Sequence, residues 1–265
     1  MSDVMSGTRN PTASIPIESV MRTLAAAALL VCLGGVLATF GKALGFTSPT
    51  YLLEAFHLDL ETTLPTWFTS MLLLLGAVLL AAVASSEHTG PFGAHWKFLA
   101  ICFLFLSIDE KISFHEYVSI RLHEVLKTGG VFWFAWVVAA IPVVICMTIA
   151  YSKLVFSLPR RVRNLSILAG ACYVTGALGM EMAAGLWVDG RGMEGLVYAA
   201  LICIEEVLEI TGALLWVFAL LQYLGPGFTV RLEPAYLGVP SADIRLSEAR
   251  GHGERAQDTA DLIHC

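Results

Sequence analysis

The sequence predicts an all-α protein, a polytopic transmembrane helical bundle with about six spans. Three observations predict it. Of 265 residues, 57% are hydrophobic and only 14% are charged, and the mean hydropathy is +0.72, well away from soluble globular domains. Windows of roughly 20 mostly apolar residues, enough for a helix to cross a hydrocarbon core about 30 Å thick, recur along the chain. Short charged or glycine-bearing stretches such as SSEHTGPFGAHW, KTGG and VDGRGME separate them.

Residues 1–20 are polar and contain prolines, and they read as an N-terminal segment without a compact basic region. The first apolar window, 24–40, continues into Lys42 without a small-residue cleavage pattern, so it is expected to be retained as helix one. In the connection that follows, YLLEAFHL suits a short interfacial helix, and Pro65 suits the first turn of the next span. Helix two is expected over about 67–84. Helix three starts near Lys97 and carries FLSIDEKISFHEYV onward to KTGG at 127–130. Helices four, five and six follow over about 131–151, 165–187 and 195–223, and GPG ends the last. The transmembrane domain is therefore 21–224. The remaining 225–265 mix charge, glycine and alanine and are expected to be soluble and weakly ordered.

Charge is distributed unevenly. With six spans, one side collects eleven Lys and Arg residues, including the cluster Arg160, Arg161 and Arg163, against five on the other. The positive-inside tendency then predicts a cell-membrane protein with both termini in the cytoplasm. The net charge of −6 says little about partners, because much of the acid lies inside the apolar windows, but no basic stripe points to a nucleic-acid partner. Cys32, Cys102, Cys146, Cys172 and Cys203 lie in apolar windows without CxxC spacing and read as small core residues. Met180, Met182 and Met193 read as packing, and Gly176, Gly179, Gly185 and Gly212 as points of close helix contact.

The acids within the spans are harder to assign to packing. At about 1.5 Å per residue, Asp109 on helix three and Glu205 and Glu206 on helix six fall near mid-membrane, with Glu209 one turn deeper and Glu181 of helix five and Glu116 nearer the outer boundary. On a regular helix Asp109, Ser113, Glu116 and His123 share one face, Lys111 and His115 turn toward the other side, and the five-residue spacing from Glu110 to His115 turns those two groups apart. Seven carboxylates, Asp109, Glu110, Glu116, Glu181, Glu205, Glu206 and Glu209, thus face only Lys111 and His115 as nearby cationic groups. An ionised side chain at the centre of a span costs about 2.5–3.5 kcal/mol, and like charges add to it. Protonation, a water-filled cavity or a bound cation relieves that cost. Glu54 and His57 read as a solvated pair, and His123 and Glu124 as an exposed extension of helix three.

Three segments, LETTLPTWFTS, FLSIDEKISFHE and IEEVLEITG, together resemble a family of uncharacterised bacterial multi-pass membrane proteins with LSxDExxxxHE and EExxExxG motifs. The resemblance implies a bacterial inner-membrane location and adds Glu61 to the grouped acids.

These residues lead to a site that binds a divalent metal ion through Asp109, Glu110, His115, Glu116, Glu181, Glu205, Glu206 and Glu209 and supports chemistry on a lipid or other membrane-resident molecule. Two other readings stay open. The same acids suit a proton- or ion-coupled transporter or channel, and they suit a structural membrane subunit whose acids pair with a partner's cations.

Overall fold

The computed structural model describes residues 16–46 and 51–225. The proposed polar N-terminal segment, save its last residues, and the C-terminal tail lie outside that range. Nine α-helices and no strands are present among the described residues. Helix α1 (Ile17–Ala43) leads through the short α2 (Leu52–Phe56) to α3 (Leu64–Ser86), which carries Pro65 in its first turn as expected. Next come α4 (Gly93–Ile112) and α5 (Phe114–Leu126), then a 3-10 turn (Gly130–Phe132) and α6 (Trp136–Ser157). The chain closes with α7 (Arg160–Val174), a π-helical segment (Thr175–Met180), α8 (Glu181–Val188) and α9 (Leu196–Leu224).

Five helical rods are long and apolar enough to cross a membrane: α1, α3, α6, the continuous run Arg160–Val188, and α9. Among them α3 is the central one, with 61% of its apolar window buried against 11% for α6. It packs along α4 and α9, and α9 packs in turn along α7 and α1. The remaining span of the sequence reading, helix three, begins as α4, which spans 20 residues and carries Lys97, Asp109, Glu110 and Lys111, more charge than the other five rods concentrate in their apolar windows. Its outer face is nonetheless an apolar stripe, with Phe98, Ile101, Phe105, Ile108 and Ile112 exposed at three- and four-residue intervals.

Three apolar clusters follow one another along the bundle. Leu80, Val83, Trp96, Leu154, Val217 and Leu220 fill one end. Val31, Phe68, Leu72, Leu73 and Ile210 fill the middle, and Leu58, Ala184, Val188, Tyr198 and Ile202 lie at the other end. Polar contacts between helices are few and short-range. Ser70 of α3 and Ser107 of α4 each donate a hydroxyl to the other's carbonyl, at 2.7 and 2.9 Å, which holds the acidic end of α4 against α3.

Two departures from the sequence reading matter for function. The expected continuous helix three is broken at Ser113, which takes a left-handed conformation (φ 52°, ψ 42°) between α4 and α5. The break is capped from within: one Asp109 oxygen accepts the His115 backbone N–H at 2.9 Å, in the first turn of α5, and so supplies the partner that a helix start requires. The expected helix five begins earlier, at Arg160, and passes through the π segment before Glu181. A π turn takes up extra residues and changes which face the following side chains occupy.

Candidate functional site

A cavity of about 540 Å³ opens at the end of the bundle where α4 finishes and α3, α6 and α9 begin. Its wall is assembled from the loop before α3 (Asp59, Glu61), the end of α4 (Glu110), the inward face of α5 (His115, Glu116, Ser119, His123, Glu124), the start of α8 (Glu181) and the first half of α9 (Tyr198, Glu205, Glu206, Glu209). Seven of the eight residues expected to form the site thus line one space. The eighth, Asp109, does not line it. Its second oxygen contacts His115 Nδ1 at 2.9 Å, so it grips the imidazole from behind.

The break at Ser113 corrects the helical geometry expected from a continuous helix three. Glu110 and His115 are not turned apart; both line the cavity, because α5 starts afresh with a new phase. His115 does not turn away from the acids; His123 and Glu124 both line the cavity, and Glu124 is exposed as expected, paired with Arg121 at 3.4 Å. The expectation of a solvated Glu54–His57 pair also fails for its histidine. His57 is buried and its Nδ1 accepts the Asp59 N–H at 3.2 Å, while Glu54 is exposed.

Local hydrogen bonds fix the loop that carries Asp59 and Glu61. The hydroxyls of Thr63 and Thr66 both donate to the Leu60 carbonyl at 2.9 Å. The Leu58 N–H donates to Thr39 Oγ1 at 3.1 Å. Lys111, expected to balance a carboxylate, instead donates to the Glu61 backbone carbonyl at 2.7 Å and so ties the end of α4 to this loop. Asp59 accepts the Tyr198 hydroxyl at 2.9 Å, a contact between residues 139 apart in sequence that no local pattern announces. Burial pushes the Asp59 carboxyl above the usual carboxylate range, opposed by the Tyr198 hydroxyl and Lys42. Burial, reinforced by neighbouring Glu116, raises Glu61 in the same direction.

Deeper in the cavity, α8 and α9 meet closely. A Cβ on Gly176, inside the π segment, would lie 2.8 Å from Glu209 Cγ and 2.9 Å from the Glu205 carbonyl oxygen, so only glycine lets the π segment approach α9 this far. Glu181 is buried and accepts the Trp136 indole N–H. One carboxylate oxygen each of Glu205 and Glu206 is buried without a hydrogen-bond partner among the described residues. Among those residues the ion pairs are His115–Asp109 and Arg121–Glu124, so no Lys or Arg pairs with Glu110, Glu181, Glu205, Glu206 or Glu209.

One group at the mouth has metal-ligand geometry. Glu61, His115 and Glu116 each offer an atom, and these atoms lie within 4.8 Å of one another. Two carboxylates and an imidazole form a donor set that suits a divalent cation. Glu61 came to attention only through its resemblance segment, because nothing in its spacing links it to helix three.

Residues 22–223 match a family described as a domain of unknown function, DUF8692. The chain belongs to the DUF8692 family. No curated protein and no solved structure is detectably similar to it. The DUF8692 match contains the complete cavity wall, from Leu58 to Glu209.

Proposed function

We propose that this DUF8692 protein is an integral membrane protein that holds a divalent metal ion at Glu61, His115 and Glu116 and uses it for chemistry on a lipid or other membrane-resident molecule. The observation that carries this reading is the convergence of three potential ligands within 4.8 Å on the wall of a cavity whose deeper acids have no cationic partner among the described residues. His115 would coordinate through Nε2, because Asp109 occupies Nδ1, and Asp109 acts as the orienting partner. Such an ion polarises a phosphoryl or carbonyl oxygen or lowers the pKa of a bound water. Glu110, Glu205, Glu206 and Glu209 lie behind this group and serve to accept and return protons or to extend the ligand set.

The apolar cluster that fills the opposite end of the bundle favours a closed-ended site over a transport path. Counting α4 as a sixth crossing, the Arg160–Arg163 cluster supports a reading with both termini in the cytoplasm and the cavity mouth on the outer side of a bacterial inner membrane.

Elemental analysis of detergent-purified protein tests the reading. Stoichiometric divalent metal is expected in the wild type and its loss in a Glu61→Gln, Glu116→Gln double variant; protein that never retains metal, whatever is supplied during purification, refutes it.

A further inference from the structure

Helix α5 is amphipathic in the sense opposite to that of a helix on a water-soluble protein. Its polar residues His115, Glu116, Ser119, His123 and Glu124 face the cavity. Its outer face carries Phe114, Tyr117 and Val125, exposed to 46%, 56% and 78%, with the Arg121 guanidinium lying over the Tyr117 ring at 5.4 Å. In water this arrangement would leave a solvated cavity behind an apolar surface, the less favourable of the two orientations. At a membrane boundary it is the favourable one, and an arginine held over a tyrosine at the same level is a usual companion of such helices.

The outer face of α5 also extends an existing apolar surface. The stripe Phe98, Ile101, Phe105, Ile108 and Ile112 on α4 runs up to Ser113, and Phe105 packs edge-on against Phe114 with ring centroids 6.1 Å apart, which bridges the two faces across the break. Only α6 and the end of α4 pack substantially against α5, and Ser119 is its one buried residue. Both of its ends, Ser113 and Lys127, are non-glycine residues with positive φ, at 52° and 51°. The helix is therefore a thin wall, bounded by a left-handed residue at each end, between an acidic cavity and the surface that α4 presents to lipid. Ile120, 60% exposed and also lining the cavity, stands on the rim.

We infer that α5 is seated in the boundary between lipid head groups and acyl chains, and that the molecule served by the cavity is a bilayer amphiphile whose polar head passes the α5 rim at Ile120 while its chains stay in the membrane. This rests on the proposed metal-dependent reading only for what happens to the head group; the position of α5 stands without it.

Photo-crosslinking separates the two. A benzophenone amino acid placed at Val125, at Ile120, or at exposed Glu194 in the loop before α9, in full-length protein reconstituted into phosphatidylglycerol–phosphatidylcholine vesicles, is read by intact mass for phospholipid adducts. Adducts are expected at Val125 and Ile120 and not at Glu194. No adduct at Val125, or equal labelling at all three positions, overturns the placement of α5. Labelling at Val125 without Ile120 overturns access past the rim. Metal content measured on the same samples keeps the outcomes distinct: lipid adducts without metal defeat the metal reading alone, and metal without adducts defeats this inference alone.

Discussion

Asp109 sits in the LSxDE stretch close to mid-membrane and invites assignment as a ligand, yet both of its oxygens are committed to His115. A carboxylate that fixes the tautomer and angle of a ligating imidazole typically contributes 10–100-fold in metal affinity. Asp109→Asn is therefore expected to weaken metal binding by about that factor, measured by competition against a fluorescent chelator. Equal affinity in the variant would return Asp109 to a purely capping role. Gly176 makes a second prediction. The missing Cβ leaves room for Glu209 and the Glu205 carbonyl, so Gly176→Ala forces the π segment away from α9 and is expected to destabilise the protein by about 1–3 kcal/mol, seen as a lowered thermal midpoint in detergent. The sequence made glycine at this position legible as a close contact, but what it touches was not, because the partner lies on another helix.

At the scale of elements, the decisive feature is the break at Ser113. Nothing in SIDEKISFHE interrupts a helical pattern: no glycine or proline falls between Lys97 and Lys127. The left-handed residue is held by tertiary and capping contacts instead, with Asp109 bonding across the break and Lys111 reaching the Glu61 carbonyl. A non-glycine residue in this conformation costs about 1–2 kcal/mol, and a β-branched one fits it worst. Ser113→Val is expected to destabilise and to reduce metal retention together, whereas Ser113→Gly is expected to leave both near wild type; a thermal melt paired with elemental analysis checks each. The π segment had the same kind of invisibility. TGALGM reads as ordinary small-residue helix, and the widened turn that brings Glu181 to the Trp136 indole follows from packing against α9.

For the whole molecule, the cavity gathers carboxyl groups of which Glu110, Glu181, Glu205, Glu206 and Glu209 form no ion pair with a described Lys or Arg, so a cation bound only by the folded state should stabilise it. At a concentration 100 times its dissociation constant, a ligand specific for the native state adds about 2.7 kcal/mol. Chelator treatment is expected to lower the thermal midpoint and re-addition of the metal to restore it, and an unchanged midpoint would count against a folded-state site. Membrane crossing has its own parity test. Six crossings leave the two termini on the same side and five leave them on opposite sides, so impermeant labelling of tags at each end of the chain in sealed vesicles is expected to modify both or neither.

What the amino-acid order determined by itself was the helical, membrane-embedded class, the limits of α3 and α9 to within a few residues, and the set of acids that gather in one cavity. Those follow from local rules: hydrocarbon solvates apolar side chains over a fixed thickness, and intramembrane carboxylates need a common polar space. The tertiary structure alone decided which of those acids line the cavity and which brace it, that α5 begins a new phase, and that Asp59 and Tyr198 belong to the site. The contacts that join the loop before α3 to α4 and α9 link residues 50 and 139 apart and are set by how the helices pack, and the Asp109 brace on His115 spans a break that no single helix period encodes.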